Sequence, residues 1–109
     1  METHLVANDG TIDQFLSSFD FSKQSWMQLE QLINLFQNNF VKQLRRDYTC
    51  LSEDDIRIIL LIRIKCTNKE IARMENILLK SFRMRRWRIR QKMGITCDTF
   101  TGFIQELYQ

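Results

Sequence analysis

An all-α fold is predicted for this 109-residue chain by three features of its sequence. It has no proline and only three glycines, too few for the turns of a β architecture. Its apolar residues recur at intervals of three and four over most of its length. Three capping-box signatures (Thr11 with Gln14, Ser25 with Gln28, Thr67 with Glu70) stand ahead of those apolar stretches.

Five or six helices can be read in order. Ile12, Phe15, Leu16 and Phe19 behind Thr11 make a short amphipathic helix, broken at Phe21-Ser22-Lys23. From Ser25 to about Tyr48 one longer segment is predicted, with Leu29, Leu32, Ile33, Phe36, Phe40, Val41 and Leu44 as its apolar stripe. Ser52 is the N-cap of the next helix, and Glu53, Asp54 and Asp55 occupy its first turn, where the helix dipole favours negative charge. That helix runs to about Lys65 and, apolar on most sides, is predicted to be the most buried. Thr67 introduces a brief helix through Met74, and Asn76 suits a left-handed turn. A basic helix is read from about 79 to 93, stopped by Gly94. Asp98 is placed to cap a last helix carrying Phe100, Phe103, Ile104 and Leu107.

Composition narrows the function. The three cysteines, Cys50, Cys66 and Cys97, are far apart and form no CxxC pair, so neither a disulfide framework nor a zinc site is expected. The single histidine, His4, lies in a terminal stretch, and no serine or cysteine has a histidine partner on a folded scaffold. No glycine-rich loop is present to cradle a phosphate. A non-enzymatic protein with no catalytic residue, metal or cofactor is expected. The longest apolar run, Ile58 to Ile62, is closed by Arg57 and Arg63 and is far shorter than the roughly 18–20 residues of a membrane span. Met1-Glu2-Thr3-His4 lacks the basic opening of a secretion signal. No membrane association and a cytoplasmic location are therefore expected.

The net charge of +3 conceals an asymmetry, −2 over residues 1–49 and +5 over 50–109. Seven bases and no acid fall within Lys80–Lys92, a focused patch of the kind that attracts polyanions. A short helix, a tight turn and a base-rich helix make a helix-turn-helix. With Phe82 at zero on a wheel of about 100° per residue, Ile89 and Met93 fall within about 20° of it and form the inward stripe. Lys80, Arg83, Met84, Trp87 and Gln91 lie opposite, between about 100° and 200°, with Arg88 at the edge near about 240°. Such a helix enters the major groove, reading base edges with its outer face while flanking bases neutralise phosphates. Trp87 and Met84 are open at this point between outlying core residues and contacts to a sugar, a thymine methyl or a base, with a dimer contact the remaining reading for Trp87. Lys69 and Ser81 are open between phosphate contact and capping or solvation. Arg86, about 40° from the inward stripe, is expected to pair with Glu70, Glu75 or a carboxylate of the preceding helix.

Leu51-Ser52 through Leu61, Thr67-Asn68-Lys69-Glu70-Ile71-Ala72, Ser81-Phe82-Arg83-Met84 and Arg88-Ile89-Arg90-Gln91-Lys92-Met93-Gly94-Ile95 resemble the LuxR-type helix-turn-helix domain. The resemblance covers about residues 51–108 and implies a four-helix DNA-binding domain at 50–109, preceded by a helical lead-in at 1–49. It implies base contacts from Arg83, Met84 and Trp87 and phosphate contacts that include Lys69 and Ser81. Lys80, Arg88 and Arg90 complete the expected phosphate set from their place in the basic run. Trp26, Phe36, Phe40, Leu44 and Tyr48 resemble, more loosely, the lead-in of a bacterial subset of these regulators. Two positions depart from the pattern: Leu78 stands where a capping Ser or Thr is usual, and Lys65 or Cys66 where glycine is usual. The implied protein is a transcriptional regulator that binds double-stranded DNA as a homodimer, through the lead-in stripe or the last helix. Regulation is expected through abundance, dimerisation or a separate signalling protein. The alternative is an adaptor that turns the same helices toward a partner protein.

Overall fold

The computed structural model describes residues 11–96 and 99–109, and these residues form helices and no strand. The helices are α1 (Thr11–Leu16), α2 (Lys23–Phe36), α3 (Phe40–Asp47), α4 (Glu53–Arg63), α5 (Asn68–Met74), α6 (Leu79–Met93) and α7 (Phe100–Glu106). They belong to two compact units. One comprises the described residues up to Arg46 together with Tyr108 and Gln109, the other Asp47 to Leu107.

In the first unit α1 packs on α2. It ends at Leu16, earlier than the apolar spacing through Phe19 predicts, and the hydroxyls of Ser17 and Ser18 donate to the carbonyls of Gln14 and Phe15. Phe19 instead stands edge-on to Phe15, Phe21 and Trp26, with centroids 4.9–5.8 Å apart. The cap of α2 is Ser22, not Ser25. Ser22 Oγ accepts from the Ser25 amide, while the Ser25 hydroxyl is drawn off to Asp20 Oδ1 at 2.6 Å. Hydrogen bonds from Ser22 and Ser25 hold the Asp20 carboxyl down to about 2.

The predicted continuous helix to Tyr48 is broken in two. Asn38 and Asn39 both take left-handed conformations (φ 57° and 55°), which asparagine tolerates better than most residues. The Asn34 side chain then accepts from the amides of Val41 and Lys42 and caps α3. Leu29, Ile33, Phe40, Val41 and Leu44 nevertheless all reach the core, because the break preserves their common side. The Tyr108 ring packs 5.9 Å from Phe40, and its hydroxyl donates to the Gln43 carbonyl.

In the second unit α4 is the central rod. Ser52 and Asp55 form a reciprocal capping box, and Ile56, Ile58, Ile59, Leu60, Leu61 and Ile62 are buried. Thr67 and Glu70 form the same box at the start of α5. Helices α4, α5 and α6 end in like fashion, with a left-handed residue and a pair of closing amides. Lys65 (φ 72°) follows α4, and the amides of Lys65 and Cys66 donate to Ile62 and Leu61. Asn76 (φ 57°) follows α5, where the amides of Asn76 and Ile77 donate to Arg73 and Ala72. Gly94 (φ 68°) follows α6, where the amides of Gly94 and Ile95 donate to Gln91 and Arg90. This is the Schellman arrangement, which turns the chain sharply while satisfying the last carbonyls. Helix α5 packs on α6 and α4 on α7. Thr99 precedes α7 without a side-chain cap; the capping role expected of Asp98 lies outside the described residues.

Candidate nucleic-acid interface

Helix α6 is held by the side its sequence sets aside for burial. Phe82, Ile89 and Met93 are its buried residues, as the wheel predicts. The outward side carries Lys80, Arg83, Met84, Trp87, Arg88 and Gln91, all exposed. Met84 is 49% and Trp87 55% exposed, so neither is a core residue. Lys80, Arg83 and Arg88 have no carboxylate partner among the described residues.

The other four bases of the run hold the domain together. Lys92 Nζ lies 2.6 Å from Asp55 Oδ2, tying the end of α6 to the start of α4. Burial opposes ionisation of the Asp55 carboxyl, but the Lys92 ammonium and the Ser52 donors outweigh it and keep the group below its ordinary value. Arg85 lies 3.9 Å from Glu75. Arg90, half-buried, donates from Nε to the Ile95 carbonyl at 3.1 Å, and so braces the turn after α6. Of the expected phosphate contacts it is therefore the one directed toward the protein itself.

Arg86 does not pair with Glu70, Glu75 or a carboxylate of α4. It donates to the Thr101 hydroxyl and lies over the Phe100 ring, 5.3 Å from the centroid, which docks α6 against α7. Its Nε is buried with no partner among the described residues. Burial first, and the nearby Arg90 cation second, lower its pKa. Outside the run, Arg63 is nine-tenths buried and donates to the carbonyls of Ile104 and Leu107, closing the end of α7. Burial pushes its guanidinium down to about 10. Nothing in the periodicity around Arg63 marks this role; it emerges only once α7 is packed against α4.

The start of α6 is open. Leu78 has the extended conformation of a cap (φ −69°, ψ 148°) but no side-chain hydrogen bond to offer, and it is 75% exposed. The first amides of α6 accordingly lack the acceptor that a Ser or Thr would supply. Beside them Ala72, Arg73, Asn76, Ile77, Leu78 and Ser81 line a shallow depression of about 410 Å³. Ser81 and Lys69 are exposed. Arg73, exposed on the rim, was not singled out by the sequence pattern; its only signal is a lone base in the last turn of α5.

Among the described residues no group of His, Cys, Asp or Glu is placed to hold a metal, and no helix is long and apolar enough to cross a membrane. Comparison of the chain with family models, curated proteins and solved structures gives no match in any of the three.

Proposed function

We propose that this chain is a LuxR-type transcriptional regulator that binds double-stranded DNA sequence-specifically, with α6 in the major groove. The observation that carries the reading is the division of α6. Four of its seven bases are engaged within the domain, and Lys80, Arg83 and Arg88 are left on the exposed side with Met84 and Trp87. Arg83 reaches a base edge, for which a guanine with its two acceptors is the fitting partner. Lys80, Ser81, Arg88 and Lys69 contact phosphates, and Arg73 joins them at the open start of α6, where unsatisfied amides favour an anion.

The functional unit is a homodimer, because one such helix spans only a few base pairs and a two-fold partner supplies a second half-site about one turn away. The lead-in stripe expected to serve it is spent in the core, where Leu29, Ile33, Phe40, Val41 and Leu44 are buried, so the pairing falls to helix α7 or to the outward positions of α2, where Met27 is 52% and Leu35 73% exposed. Selection of bound sites from random duplexes tests the reading. A two-fold-symmetric motif with guanine in each half-site is expected. Recovery of no preferred sequence, or no duplex binding at low salt, overturns it.

A further inference from the structure

Resting on the duplex-binding reading, we infer that Trp87 and Met84 read the 5-methyl groups of thymine, next to the base contacted by Arg83. Two of the six largest exposed apolar side chains of the described residues stand side by side on an otherwise cationic helix. Spaced three residues apart, they share one side of α6, about 60° from each other on the wheel and about 4.5 Å apart along the axis.

The charges around this strip decide what covers it. Arg83 lies about 40° to one side of Trp87 and Arg88 about 100° to the other, with Lys80 and Gln91 between. An apolar protein surface laid on the strip would desolvate cations on both sides without compensation. A major groove inverts that pattern, with phosphates along both walls and base edges on the floor. On that floor the thymine 5-methyl is the apolar group that base pairs present. A separation of about 4.5 Å corresponds to one or two base-pair steps of about 3.4 Å, so the methyls read lie within about two steps of the Arg83 base.

The test is binding of the full chain to its selected duplex with each thymine replaced in turn by deoxyuridine, which removes the methyl and leaves every hydrogen-bonding group in place. About a fourfold loss is expected at each contacted thymine, the worth of one buried carbon. Losses should be confined to thymines within about two steps of the guanine whose preference Arg83→Ala relaxes. In Trp87→Ala the difference should vanish at the thymine beside Trp87 and persist at the one beside Met84, while Trp87→Phe should keep most of both. The wild-type comparison stands alone should Trp87→Ala fail to fold. Equal wild-type affinity for both duplexes, or a selected site with no thymine near that guanine, overturns this inference and leaves duplex binding intact. Failure to bind any duplex overturns the functional reading, and this inference with it.

Discussion

Arginine does two different jobs in this chain, and burial separates them. Arg63 serves the fold: its guanidinium is enclosed and spans two carbonyls at the end of α7. Arg63→Met is expected to leave those acceptors without a donor and to lower stability by about 1–3 kcal/mol, read as a shift of the urea midpoint. Arg83, exposed on α6, serves recognition in the proposed reading. Arg83→Ala should leave the urea midpoint unchanged, relax preference at one base position and cost about 1–3 kcal/mol there. Lys69→Ala should instead weaken all duplexes alike and reduce the salt slope by about 0.9. Asp55 adds a pH signature. Its folded pKa lies below the unfolded value of 3.8, so its contribution is present above about pH 4 and lost as pH falls through the folded value. Removal of the group in Asp55→Asn should flatten the acid limb of stability measured against pH.

At the scale of the element, the starts of α4 and α5 and the ends of α5 and α6 follow from side chains in the sequence. Ser52 with Asp55 and Thr67 with Glu70 mark starts, and Asn76 and Gly94 mark ends, because each satisfies backbone groups within a few residues of itself. The split between α2 and α3 was hidden for the opposite reason. Leu29, Ile33, Phe40, Val41 and Leu44 keep helical spacing straight through Asn38 and Asn39, so periodicity gave no sign of the break. Likewise Ser25 reads as a cap until Asp20, five residues earlier, claims its hydroxyl. The outward side of α6 was legible from the wheel, since Phe82, Ile89 and Met93 anchor it. The loss of Arg85, Arg86, Arg90 and Lys92 to internal partners was not, since those partners come from α4, α7 and the turns after α5 and α6. The uncapped start of α6 makes a direct prediction. Leu78→Ser, at a position already extended, should stabilise the domain by about 1 kcal/mol in chemical denaturation.

At the scale of the whole molecule, the chain divides into two compact units. The unit from Asp47 to Leu107 holds the base-rich helix and its bracing contacts, and the proposal places duplex recognition there. The first unit carries four Lys and Arg, Lys23, Lys42, Arg45 and Arg46, with no run among them like that of α6, and Arg45 is held by Glu30 through two bonds of 2.8 Å. In the proposed reading its exposed Met27 and Leu35 serve self-association rather than attraction to a polyanion. The most direct test of the central claim, that the bare side of α6 meets a duplex, is the affinity of the full chain for its selected site between 50 and 200 mM salt. The account predicts a slope of roughly −3 to −4 per bound copy on logarithmic axes, at about −0.9 for each neutralised phosphate, and a shallower slope for Lys80→Gln with Arg88→Gln. A slope near zero, or one that those substitutions leave untouched, would contradict it.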